Sequence, residues 1–190
     1  MTELDKIQIA GNIFGVLEVY LRIKQKIFCW FFALLGVLTY IYIFYVVKLY
    51  ADMALQAYYL IMTIYGWYFW INGGKNNSIL KVSTLNKKQI IIISIMIVIG
   101  TIITGYLLKK YTDDPFPYAD SFTTVGAIFG TWLMAKKKIE NWIIWIIVNP
   151  VSIIIYYMKD LHYTTYLLYF IFTIMAIYGY IKWRKDLLKN

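Results

Sequence analysis

Cysteine and histidine are almost absent from this chain. Cys29 is the sole thiol and His162 the sole imidazole. An internal disulfide, a cysteine metal cluster and a histidine-rich metal site are therefore excluded, and a histidine-based catalytic triad is awkward to build. Charge is scarce as well, since 15% of the 190 residues are charged against 61% hydrophobic. A soluble domain of that size has no core large enough to hide so much apolar surface. No phosphate-binding glycine loop occurs, and Gly73-Gly74 reads as a turn, so ATP-driven pumping by this chain alone is not expected. The first residues are polar and of mixed charge without a cleavage-site pattern, and no removable leader is expected. Neither a cofactor nor a metal is called for.

What the chain does have is apolar sequence in runs close to the ~20 residues that span a bilayer. Seven such segments are predicted, over 6–22, 27–46, 50–71, 89–108, 118–135, 139–158 and 163–181. The expected fold is thus an all-α integral membrane protein of seven transmembrane helices. The fourth segment is mostly isoleucine with hardly a polar side chain, which suits a lipid-facing or connecting helix.

Basic residues set the expected orientation. Those following segments 1, 3, 5 and 7, among them Arg22, Lys87 and Lys136–Lys138, number 14, and the opposite side carries 5. The positive-inside rule places the C-terminus in the cytoplasm and the N-terminus outside, in the cell's inner membrane. This asymmetry accounts for the net charge of +9, so a nucleic-acid partner is not expected; the bilayer is the partner implied.

Sliding the chain against itself by 112 residues brings Lys24-Gln25-Lys26-Ile27 onto Lys136-Lys137-Lys138-Ile139 and Trp30 onto Trp142. With one further residue of slip, Tyr65-Gly66 meets Tyr178-Gly179 and Trp70 meets Trp183. Two parallel three-helix repeats are expected, 1–72 and 118–190, joined by a loop and linker helix over 73–117. In transporters built this way the substrate site lies at the repeat interface.

Polar residues fall on faces within these segments. Asp52, Gln56, Tyr59, Thr63 and Trp67 share one face of segment 3 by their steps of 4, 3, 4 and 4. Asp120, Thr124 and Thr131 do so in segment 5, and Trp142, Trp145, Asn149, Ser152 and Tyr156 in segment 6. Polar groups at membrane depth are costly unless they meet partners or water, so three such faces suit one hydrated cavity. The plainer reading is that Thr63, Thr131 and Ser152 glue helices together. Asn149 brings two donors and an acceptor and is the better candidate for touching substrate. Two indoles beside it, Trp142 and Trp145, would suit a flat cationic ring. A belt position near the inner boundary is the alternative for Trp142, and Tyr50, Tyr118, Tyr163 and Trp183 are expected in interfacial belts. Asp52 and Asp120 lie near outer helix ends, where water or N-capping explains them. Glu18 either balances a cationic substrate or pairs with Arg22 one turn away. Pro150 is expected to kink segment 6 and free the carbonyl of Ile146, as a hinge or as packing.

Tyr50-Ala51-Asp52-Met53, Gln56, Tyr58-Tyr59 and Tyr65-Gly66-Trp67-Tyr68 with Trp70 resemble the third-helix signature of the PnuC-type vitamin transporters. Asp120 with Thr123-Thr124, then Trp142-x-x-Trp145-x-x-x-Asn149, resemble the second-half signature of that family. The resemblance covers nearly the whole chain. It implies a three-plus-one-plus-three fold related to the SWEET proteins and uptake of nicotinamide riboside, with thiamine the alternative among close relatives. It also implies a binding motif of Trp142, Trp145 and Asn149, with Gln56, Tyr59, Thr63 and Thr124 on matching faces. Transport would be facilitated diffusion by alternating access, with a cytoplasmic kinase trapping the vitamin as its functional partner. A homo-oligomer is compatible with the sequence. A membrane enzyme lacks facing carboxylates or a nucleophile–base pair, and a non-transporting binder or sensor is separated from a carrier by flux across sealed liposomes.

Overall fold

The computed structural model describes residues 2–159 and 163–189. Seven α-helices follow one another among them: α1 (Glu3–Ile23), α2 (Cys29–Val46), α3 (Tyr50–Asn72), α4 (Lys87–Tyr111), α5 (Pro117–Ala135), α6 (Glu140–Met158) and α7 (Tyr163–Leu187). A short 3-10 turn, Lys75–Asn77, follows α3, and no β-strand occurs among the described residues. His162 and the side chain of Tyr163 lie outside the described residues.

The helix ends follow from local chemistry. Thr2 caps α1 through a reciprocal box, its hydroxyl accepting from the Asp5 N–H at 3.1 Å while the Asp5 carboxylate accepts from the Thr2 N–H at 2.6 Å. Asn86 and Gln89 make the same box at the start of α4, at 2.8 and 3.0 Å. Pro117 opens α5, where a missing N–H costs nothing. Four helices, α2, α4, α6 and the Tyr166–Leu187 part of α7, are long and apolar enough to cross a membrane. The shortest of them, α2 with 18 residues, extends ~27 Å at 1.5 Å per residue.

The chain forms two compact units, Met1–Lys81 and Val82–Asn190. In the first, α2 packs against both α1 and α3; in the second, α5 packs against α4 and α6, and α6 against α7. Two turns are alike in the main chain. Gln25 (φ 55°), after α1, and Lys137 (φ 52°), after α5, both take the left-handed conformation. The Gln25 N–H donates to Arg22 O at 2.9 Å and the Lys26 N–H to Leu21 O at 2.9 Å. Lys137 to Met134 and Lys138 to Leu133 repeat this at 3.0 and 2.9 Å. Beyond each turn a buried tryptophan meets another edge-on. Trp30 and Trp70 have centroids 5.4 Å apart at 88°, and Trp142 and Trp183 have theirs 5.3 Å apart at 87°. Glycine makes both pairs fit, because a Cβ at Gly66 would stand 2.2 Å from Trp30 Cη2 and one at Gly179 2.8 Å from Trp142 Cδ2.

These pairs correct the belt reading of Trp183, which is fully buried, and of Trp142, which is 1% exposed. Trp183 also carries α7 past the expected end at residue 181, because the helix must continue far enough to seat that indole. Lys182 and Asp186 pair along the extension at 3.7 Å. Tyr50 and Tyr118 stand exposed.

In the second unit, the segment before α4 is strapped to the turn between α5 and α6. The Ser83 N–H donates to Lys137 O at 3.1 Å, the Ile139 N–H to Ser83 O at 3.0 Å, and the Leu85 N–H to Glu140 Oε1 at 2.9 Å. Lys138 Nζ adds a bond to Thr84 O at 3.0 Å. α4 itself is 11% buried over its apolar window and lies on α5 with Gly100 against Val125 and Gly105 against Tyr118, as its isoleucine-rich sequence leads one to expect.

Candidate functional site

Within the second unit the candidate residues gather on α6 and its neighbour α5. Asn149 is 3% exposed, yet its side-chain amide makes no hydrogen bond to another described residue. Ser152 differs, since its hydroxyl donates to Val148 O at 3.1 Å within the same helix, and its polarity is spent there. Trp145, one turn before Asn149, is half-buried. Its indole lies against the α5 backbone at Gly130, where a Cβ would stand 3.1 Å from Trp145 Cε2 and 3.2 Å from Nε1. Thr124 is half-buried on α5. α6 stays helical through Pro150, whose missing N–H leaves the Ile146 carbonyl without its helical donor.

Trp142 is held apart from this group by its packing on α7. Its ring fills the space over Gly179 and meets Trp183, so it fixes the seat of α6 and has no free face for a ring to stack upon.

In the first unit, α3 carries Asp52, exposed; Gln56 and Tyr59, half-buried; and Thr63, 3% exposed. Tyr59 lies beside Tyr58, with centroids 5.6 Å apart, and the Gln56 amide makes no hydrogen bond to a described residue. Glu18 takes the second of its two expected roles and forms an ion pair with Arg22, whose guanidinium sits 4.7 Å from the Trp30 ring centroid.

Asp120 is engaged too. Lys159, just past α6, lies 2.8 Å from Asp120 and 3.0 Å from Asp114 in the loop before α5. Burial raises the Asp114 carboxyl, but the Phe116 N–H and the Lys159 ammonium outweigh it and hold the group below its usual range. Burial lowers Lys159, and the two carboxylates outweigh that and push it up. A separate cavity of about 250 Å³ between α4, α5 and α6 is walled by Ile93, Ile97, Ile144 and other apolar side chains and contains neither Trp145 nor Asn149. Its nearly apolar wall suits hydrocarbon rather than a vitamin.

The model of the nicotinamide mononucleotide transporter family matches residues 5–185. The chain belongs to that family. Relatives of this nicotinamide mononucleotide transporter family member include the nicotinamide riboside transporter PnuC of Escherichia coli (strain K12), 29% identical over 95% of this chain and 86% of its own length. The riboflavin/roseoflavin transporter RibM of Streptomyces davaonensis is 25% identical over 92% of this chain and 82% of its own length. The crystal structure of the vitamin B3 transporter PnuC superposes with a TM-score of 0.76 at 26% identity, covering 96% of this chain and 82% of that one. These relatives are transporters and not enzymes.

Two participants escaped the sequence reading. Lys159 reaches carboxylates 39 and 45 residues away in sequence, with no local pattern to announce it. Gly130 carries one signal, its spacing of four from Gly126, which marks a close helix approach without naming the partner.

Proposed function

We propose that this family member is a membrane transporter for nicotinamide riboside, and that Trp145 and Asn149 bind it. The observation that carries the reading is the buried, unpaired Asn149 amide one turn from a half-buried indole. A pyridinium ring offers a cation and a π face to Trp145, and the polar substituents of the vitamin answer the donors and acceptor of Asn149. Thr124 adds a hydroxyl on α5, and in the first unit α3 carries a polar face of its own with Gln56, Tyr59 and Thr63 as substrate-binding candidates. Trp142 supports the site by seating α6. Glu18, Asp52 and Asp120 are assigned no direct substrate contact, and Pro150 is the hinge candidate.

All seven helices cross the inner membrane in this reading, as two parallel triplets with α4 as linker, in the three-plus-one-plus-three order of the SWEET proteins. The paired turns at Gln25 and Lys137 and the paired indoles support it. The N-terminus lies outside and the C-terminus in the cytoplasm. Transport is facilitated diffusion by alternating access, made unidirectional by a cytoplasmic kinase that phosphorylates the vitamin.

Calorimetric titration of the purified protein in detergent tests the substrate. Nicotinamide riboside should bind, and Trp145→Ala and Asn149→Ala should each weaken it at least tenfold. Binding of thiamine or riboflavin in its place would refute the substrate assignment. Loss of uptake with a proton or sodium ionophore, in kinase-free proteoliposomes, would refute the uniport.

A further inference from the structure

The two repeats agree in their turns and tryptophan pairs, and among the places where they differ one pair of positions bears on the site. At the 112-residue offset, Gly130 of α5 corresponds to Glu18 of α1, and Trp145 of α6 corresponds to Ala33 of α2. In the second repeat the small residue is on the first helix and the large one on the second; in the first repeat the sizes are exchanged. Contacts show why the exchange matters. A Cβ at Gly130 would lie 3.1 and 3.2 Å from Trp145 and 3.3 Å from Ile144 Cγ2, tighter than the ~3.5–4.0 Å of carbon–carbon contact. Only glycine lets the indole lie this close to the α5 backbone. In the first repeat the glutamate at the matching place is committed to Arg22, and the matching α2 residue is a buried alanine.

We propose that Gly130 is the positioning residue that sets the depth and tilt of the Trp145 ring, and so determines which ring the site accepts. The exchange of sizes makes recognition one-sided, because at this pair of positions only the second repeat joins a backbone recess to an indole, the recesses at Gly66 and Gly179 being taken up by the structural rings of Trp30 and Trp142. The inference rests on the reading of Trp145 as the ring-binding residue. A methyl at position 130 shifts the indole by a few tenths of an ångström, without removing it, and so acts on ligand affinity through Trp145. The effect is set by the loss of ring overlap and cation–π attraction, expected to be about tenfold in Kd.

The test is a double-mutant cycle read by calorimetry with nicotinamide riboside on the full-length protein. Gly130→Ala should weaken binding about tenfold in the wild-type background and less than twofold beyond Trp145→Phe. Gly100→Ala, which meets Val125 at 3.1 Å on the α4 side of α5, should perturb packing without changing Kd. Ile144→Leu removes the third close contact, the Ile144 Cγ2 methyl, and provides a second, roomier background for Gly130→Ala. Equal losses from Gly130→Ala with and without Trp145→Phe would overturn the positioning role, as would wild-type affinity in Gly130→Ala. Wild-type affinity in Trp145→Phe and Trp145→Ala alike would instead overturn the reading beneath it.

Discussion

Replacing Gly179 with alanine sets a methyl group 2.8 Å from three atoms of Trp142, namely Cδ2, Cε2 and Cε3. Carbon atoms in good contact stand ~3.5–4.0 Å apart, so the indole must retreat by about 1 Å. It has nowhere to go: it is 1% exposed, and the edge-on ring of Trp183 lies on it with centroids 5.3 Å apart. Overpacking of a rigid, filled site costs about 1–3 kcal/mol, and the rigidity of the indole argues for about 2 kcal/mol here. Gly66→Ala is the more severe change, because its methyl would meet Trp30 Cη2 at 2.2 Å, and about 3 kcal/mol is expected. At roughly 2–4 °C per kcal/mol, Gly179→Ala should melt about 4–8 °C below wild type by circular dichroism in detergent, and Gly66→Ala lower still. Trp142→Phe opens room and removes an indole N–H that has no hydrogen-bond partner. The double variant Gly179→Ala/Trp142→Phe should therefore be more stable than the sum of its single changes, by about 1 kcal/mol or more. Additive losses, or an unchanged melting temperature for Gly179→Ala, would refute the packing argument.

Further expectations concern the charged groups. Asp114 has a lowered pKa, so its contribution to stability is present above the ordinary carboxylate range and is lost as pH falls through its lowered value. Lys159 has a raised pKa, so its contribution is full below the ordinary lysine range and is lost as pH rises through its raised value. Lys159→Met should therefore cost about 1 kcal/mol near neutral pH and converge with wild type in strong acid; a pH-independent difference in melting temperature would contradict this. Removing Arg22 should harm more than removing both charges, because a lone buried charge is the costly state. Arg22→Met is expected to melt below Glu18→Gln/Arg22→Met, and the reverse order would contradict the pairing. Asn149→Leu fills the same space without an unpaired amide, and should abolish riboside binding while leaving the melting temperature level or raised. A drop in stability would show that the amide serves the fold.

Much of the fold was legible because it is written in long-range periodicity. Apolar runs gave the helices to within a few residues, and the Lys24–Ile27 and Lys136–Ile139 matches located two turns that share a left-handed residue and its hydrogen bonds. Aromatic roles were less legible. A tryptophan near a helix end has the same sequence signature whether it meets lipid headgroups or another ring, and Trp183 took the second course because Gly179 opened a place for Trp142 beneath it. In the candidate site, the spacing of Trp145 and Asn149 was readable from one helix alone. Gly130 and Lys159 were not, since each acts across a helix boundary, and a single sequence carries no direct record of which helices touch.

The burial of four tryptophans has an optical consequence. Of the seven in the chain, Trp30, Trp70, Trp142 and Trp183 are at most 1% exposed, so they should emit as a steady background that neither ligand nor aqueous quencher reaches. Trp67, Trp132 and Trp145 remain, and Trp67→Phe with Trp132→Phe would leave the Trp145 indole as the one responsive fluorophore. The duplicated packing thus gives the protein a built-in reporter whose emission can follow vitamin binding without an added dye.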